Sequence, residues 1–252
     1  MTAEQTFHLP HAPIIEAVVD IDCDLPVGID LPAMGGRIRQ HFSNEYPRFR
    51  RQMIQQHAMK ASLDAPPEFS VQSSLRAFQF LKEDERQLVQ VRTEGFSFNR
   101  LEPYSSFDEY LPEIERAWKR FAEVMAPVQI RRIVLRYINR IFLPTSDGLV
   151  DIGNYLRLNF KLPDETGLEL SGFFNQYSAT EAETGHQVNV SMVAQPVEGD
   201  RLPVVFDIEA IHPAPADPES WENIRATILL LRRLKNRVFA RTLTEQCLNL
   251  FR

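Results

Sequence analysis

The chain has 252 residues, 44% of them hydrophobic and 25% charged, with a formal net charge of −6. This is the composition of a globular protein able to bury a substantial core, and its acidity argues against a protein devoted to wrapping nucleic acid, which needs concentrated Lys and Arg. The opening segment MTAEQTFHLPHAP has no basic stretch leading into an apolar one, and no run approaches the roughly 18 uninterrupted apolar residues of a membrane span, so a cytoplasmic location without a membrane partner is expected.

Ile14 to Cys23 alternates Ile15, Ala17, Val19, Ile21 and Cys23 with Glu16, Asp20 and Asp22, the pattern of a half-buried strand. Asp30 before Leu31 and Pro32 predicts a helix start, although Gly35-Gly36 weakens that turn. A basic stretch from Arg37 to Arg51 follows, and Asp64-Ala65-Pro66-Pro67 reads as a loop. Strands are expected over Phe69 to Leu81 and Leu88 to Leu101, joined by the polar segment Lys82 to Arg86, with Gly95 marking a bulge inside the second. Ser106 to Met125 places Tyr110, Ile114, Ala117, Trp118, Phe121 and Val124 on one helical face, and Pro127 stops it.

Ile130 to Leu143 predicts a long strand, turned by Asp147-Gly148 toward a short helix at 151–158. Three strands follow at about Leu168 to Ala182, Gln187 to Val197 and Leu202 to Ile211. After a Pro/Ala-rich loop, a last helix begins near Trp221 with a stripe of Ile224, Ile228, Leu231 and Val238. The order β-α-β-β-α thus runs once to Met125 and again, with a further strand, to the end. The expected fold is α+β: a mainly antiparallel sheet from two pseudo-repeated halves, 1–127 and 128–252, packed as one unit with a long C-terminal helix.

Familiar catalytic motifs are missing. Cys23 and Cys247, far apart in the chain, form no CxxC site and are expected to be buried as small apolar side chains. His8, His11, His41, His57, His186 and His212 show no metal-ligand spacing. The strands lack the ordered Glu and Lys of a triphosphate-processing tunnel, and no GxSxG elbow or Walker loop occurs. No catalytic residue, metal site or cofactor is assigned.

Charge pattern supplies the candidate surface instead. Period two along the strand from Arg132 to Phe142 sets Arg132, Arg136 and Arg140 on one face, opposite Ile133, Leu135, Tyr137, Asn139 and Ile141. Arg76, Arg92 and Arg100 could extend this column, and Glu16, Asp20, Asp22, Asp207 and Glu209 alternate in the same way. Either cross-strand ion pairs stabilise a solvated face, or guanidinium forks there hold a phosphate or carboxylate. The segment from Trp221 onward carries seven basic residues against Glu222 and Glu245, a solvated cationic face or an anion-binding surface. The strand aromatics Phe69, Phe78, Phe80, Phe96, Phe98, Phe173, Phe174 and Tyr177 are expected in core packing rather than base stacking.

Three segments, Pro13-Ile14-Ile15-Glu16-Ala17-Val18-Val19, Leu135-Arg136-Tyr137-Ile138-Asn139-Arg140-Ile141 and Lys235-Asn236-Arg237-Val238-Phe239, resemble a sporadically distributed family of uncharacterised prokaryotic proteins of about this length. The resemblance spans nearly the whole chain and implies an accessory role, such as defence or toxin neutralisation, with no catalytic residues to carry over. The leading expectation is therefore a non-enzymatic binding protein, an immunity-like or antitoxin-like partner of a toxin or effector, with Arg132, Arg136, Arg140, Glu16, Asp20, Asp207 and Glu209 as the contact surface. The alternatives are a protein that binds a small phosphorylated ligand or nucleotide, with hydrolase or transferase activity, and a nucleic-acid binder. The oligomeric state is open.

Overall fold

A computed structural model describes residues 9–62, 65–145, 150–158 and 172–252. The first strand, β1 (Ile14–Asp24), lies inside a nine-stranded antiparallel sheet, with both edges paired. Helix α1 (Leu31–Phe42) precedes β2 (Arg48–Ser62), β3 (Ala65–Leu81), β4 (Gln87–Arg92) and β5 (Gly95–Leu101). Helix α2 (Phe107–Met125) leads to β6 (Gln129–Pro144). After a 3₁₀ turn at Ile152–Asn154 come β7 (Phe174–Thr180), β8 (Gln187–Ala194), β9 (Arg201–His212), helix α3 (Trp221–Thr242) and the short α4 (Glu245–Leu248). The sheet order is β2-β3-β4-β5-β1-β6-β9-β8-β7.

Strand alternation gives the sheet two unlike faces. Ala17, Val19, Ile21 and Cys23 of β1 join the hydrophobic core, as do Phe96 and Phe98 of β5, Leu135 and Tyr137 of β6, and Phe206 and Ile208 of β9. Three helices cover this side. Phe42 of α1 stacks on Phe80 at 5.0 Å, Trp118 of α2 meets Phe96 edge-on at 5.7 Å, and Phe239 of α3 stacks on Phe206 at 5.6 Å. Gly35 lets α1 approach closely, because a Cβ there would stand 2.8 Å from Phe78 Cζ. Ser106 caps α2 by accepting from the Glu109 amide at 3.4 Å, and Cys23 and Cys247 are both buried free thiols. No described helix is long and apolar enough to cross a membrane.

The helices and the antiparallel sheet match the sequence expectation, but several elements differ. The 48–62 stretch is strand β2, and Ala65-Pro66-Pro67 belongs to β3 rather than to a loop. β3 meets β4 only from Ala77 onward, so the prolines sit far out on a two-stranded ribbon, where a missing amide donor is tolerated. The segment 88–101 is two strands joined by Thr93-Glu94, so Gly95 serves a tight turn and not a bulge. The expected helix at 151–158 shrinks to one 3₁₀ turn. Asp147-Gly148 and the expected strand start at Leu168 lie outside the described residues. Residues 14–101 supply five strands and residues 129–212 four, and a 3₁₀ turn stands where the first half has a 12-residue helix. The correspondence between halves is therefore inexact.

Gly95 has φ +141°, and a Cβ there would lie 2.1 Å from the Ile21 carbonyl oxygen and 2.9 Å from Asp22 Cα. Both clashes are with backbone at the centre of the sheet. Gly95→Ala is expected to lower unfolding stability by at least about 1–3 kcal/mol, measured by chemical denaturation. An unchanged denaturation midpoint would contradict this account of the β4–β5 turn.

Candidate functional site

The arginine column lies where alternation predicts, on the sheet face that no described helix covers, and its guanidiniums are engaged by carboxylates of the chain. Arg132 Nε donates to Asp22 at 2.6 Å, and Arg92 donates to the other oxygen of the same carboxylate at 2.9 Å. Arg136 holds Asp207 with Nε and Nη2 at 2.9 and 2.5 Å, and Arg140 reaches Glu198 at 2.5 Å. Asn99 donates to Glu16 at 2.7 Å, Asn189 to Glu209 at 2.8 Å, and Ser97 to Asp20. Burial raises the Asp20 carboxyl above its ordinary range, with Arg92 opposing.

Arg100 leaves the column, its guanidinium lying over the Tyr110 ring at 5.6 Å, and Arg76 occupies the register shift between the Gln52–Ala77 and Met53–Leu75 pairs. Of the five carboxylates, Asp20, Asp22 and Asp207 thus meet Arg92, Arg132 and Arg136 at the middle of the face, while Glu16 and Glu209 are held by Asn99 and Asn189. A groove of 340 Å³ over β6 to β9 is lined by Arg136, Asp207, Glu209, Asn189 and Ser191. Its guanidinium is already taken in a two-pronged pair, which leaves little pull on a phosphate.

The basic C-terminal segment is partly neutralised. Arg232 donates to both oxygens of Asp108 at 2.8 and 3.2 Å, Arg237 contacts Glu181, and Arg252 pairs with Glu245 at 3.1 Å. These pairs lower the positive charge the segment could present to a phosphate backbone. Of the strand aromatics, Phe78, Phe80, Phe96 and Phe98 are core residues, while Phe69, Phe174 and Tyr177 are exposed. The fold brings two histidines together, the rings of His186 and His212 lying 5.2 Å apart. Burial, and then the neighbouring His186, lower the His212 pKa. Among the described residues no group of three potential ligands could hold a metal; His8 lies outside them.

The helical side holds a different kind of site, a cleft bounded by the start of β1, the middle of β6, the N-terminus of α2 and the inner face of α3. Pro13 and Ile14 come from the first of the three segments named above, Tyr137 and Asn139 from the second, and Lys235, Asn236 and Phe239 from the third. Water centres can occupy about 80 Å³ of it. That is space for roughly half a dozen waters, or for a compound of a few carbons.

Lys235 is the unusual member. It falls on the apolar stripe of α3, in step with Ile224, Ile228, Leu231, Phe239 and Thr242, and only 7% of it is exposed. Its Nζ lies 3.7 Å from the centroid of the Tyr137 ring, and no carboxylate among the described residues pairs with it. Around it are Tyr137 on β6, Tyr104 ahead of α2, and Arg232 one turn back on α3, itself paired with Asp108. The Tyr104 and Tyr137 hydroxyls are 3.0 Å apart, and burial keeps both phenols protonated well beyond their ordinary range. Asn139 is buried and donates to the Phe206 carbonyl at 2.9 Å. Burial, and then the Arg232 charge, lower the Lys235 pKa from 10.5 to about 7. The aromatic face favours the cation, but loss of hydration outweighs it.

The sequence reading counted Lys235 among surface cations. The signal that could have singled it out is its spacing, since a lysine in phase with an apolar helical stripe must be buried or snorkel. Comparison with models of known protein families and with curated proteins finds no match for this chain.

A buried lysine that sheds its proton gives a definite pH signature. Below about pH 7 both folded and unfolded chains hold the proton, so the cost of burying the charge is constant. Between about 7 and 10.5 only the unfolded chain holds it, so stability rises with pH and then levels off. Lys235→Met removes this dependence. Its stability advantage over the wild type, of the order of a few kcal/mol at pH 6, is expected to shrink as pH approaches 10, read by denaturant titration of both proteins. A difference independent of pH would show that Lys235 keeps its ordinary proton affinity.

Proposed function

We propose that this protein binds a small anionic compound in the cleft over Lys235. The observation that carries the reading is the absence, among the described residues, of a carboxylate partner for Lys235, a side chain more than nine-tenths buried, in a cleft also lined by Ser106 and Phe107 at the N-terminus of a 19-residue helix. The helix end adds partial positive charge, and Phe107, Phe239 and Ile14 provide apolar walls. The three segments behind the family resemblance meet here, which supports a role shared by proteins of that kind. The space favours a small carboxylate or phosphate over a nucleotide.

The test is thermal unfolding in lactate, malonate and inorganic phosphate. At least one should raise the melting temperature by several degrees at saturation, as mass action requires of a ligand about 100-fold above its Kd. Lys235→Met is expected to abolish the shift. No shift with any of the three, or an equal shift in the variant, would remove the proposal.

A second reading, binding of a protein partner by an immunity-like or antitoxin-like chain, is favoured by the β2–β3 ribbon. Its outer part has no third strand, and Met53, Met59, Phe69 and Val71 on it are 50–73% exposed. Isolated ribbons of this kind are marginal in water, and their edges readily accept another chain. Native mass spectrometry of the protein from its own host should then show a stoichiometric second polypeptide, lost when Met59 and Phe69 are changed to Ser. A bare monomer under those conditions would count against it.

A further inference from the structure

We propose that Lys235 is a nucleophilic amine that forms a reversible imine with a small carbonyl compound carrying an anionic group, a 2-oxo carboxylate being the class that fits. The inference rests on the anion-binding reading and names the chemistry of its ligand. An amine buried without a carboxylate partner among the described residues, with Nζ against an aromatic ring and a cleft in front of it, is the arrangement that leaves a lone pair available to an electrophile. A solvated lysine at neutral pH is almost wholly protonated and has no such pair. Arg232 lies one turn away on α3 and disfavours a second positive charge beside it, which favours the neutral amine.

The step balances with the groups present. The Nζ lone pair attacks the carbonyl carbon, a C–N bond forms, and the C=O π pair moves to oxygen. One amine proton passes to that oxygen and gives a carbinolamine. Breaking the C–O bond, with transfer of the second amine proton, releases water and leaves the imine. No oxidant or reductant is consumed. The Tyr104 and Tyr137 hydroxyls line the same cleft, and only one of their two protons is used in the bond between them, so a phenolic proton remains to hydrogen-bond the ligand oxygen. The carboxylate of the ligand would lie at the N-terminus of α2, facing the partial positive charge of that helix end.

The experiment uses the full chain, with pyruvate as probe and cyanoborohydride to reduce any imine to a stable secondary amine, followed by intact-mass and peptide-mass analysis. The wild type is expected to gain a single reduced pyruvate, mapped to Lys235 and not to Lys60, Lys82, Lys119 or Lys161, the remaining lysines of the chain. Labelling should fall at least tenfold in Lys235→Arg, which keeps the charge but cannot form the adduct. The mapped site in the wild type stands even if that variant folds poorly. Labelling spread over the other lysines, with none at 235, overturns the proposal. Lactate, which has no carbonyl, separates the two ideas. A lactate-induced melting shift without a pyruvate adduct leaves the anion site standing and removes the imine. An adduct at Lys235 without any anion-induced shift upholds the amine and removes the anion site.

Discussion

The pairing of β1 with β6 is the interaction on which the rest of the structure depends. β1 is also hydrogen-bonded to β5, so it joins the strands of residues 14–101 to those of residues 129–212. The register places Asp22 opposite Arg132 on one face and Val19 opposite Leu135 on the other. It also brings the start of β1 beside Tyr137 and Asn139, where Arg140 donates its amide to the Pro13 carbonyl at 2.8 Å. A slip of one residue would turn the core residues of β1 toward water and take the wall of the cleft away from α3.

The two faces handle charge in opposite ways. On the uncovered face each guanidinium of the column has a carboxylate, and Asp22, itself buried, serves two of them. Such a network is self-contained, and partly exposed pairs of this kind add little stability individually. On the helical face the Lys235 side chain is buried in a sheet-helix interface made mostly of aromatic rings and aliphatic side chains. A lysine there is costly as a cation, and among the described residues no counterion offsets that cost, which favours giving up the proton. The proposed chemistry follows from this asymmetry, because neutralised arginines recognise little while a buried amine faces a cleft.

Aromatic packing explains how that amine is held in place. Phe239, one turn beyond Lys235, stacks on Phe206, with the ring planes 8° from parallel, and Tyr137 is fixed by the hydroxyl bond to Tyr104 and by ring contact with it at 5.8 Å. α3 is therefore anchored to β9 just beyond the lysine, and the ring that faces Nζ is steadied from the other side by Tyr104. Residues on regular elements, with their rotamers locked by packing, hold a site more precisely than loop residues do.

Much of this was legible in the sequence. Period two along 14–23 and 132–142 determined those strands and the faces of their arginines and carboxylates, and helical spacing determined α2 and α3, because these patterns are local consequences of backbone geometry. The ribbon strand β2 was not legible, since its Gln-rich stretch has no buried face to impose alternation, and Gly95 did not declare which partner required it. Which carboxylate met which arginine depended on the sheet order, a choice among strands far apart in the chain. The burial of Lys235 depended on it too: the sequence places a lysine on an apolar stripe, but only the packing of α3 against β6 removes its water. Local periodicity fixes where a side chain points, while desolvation depends on everything that surrounds it, and that is settled only when the chain has closed.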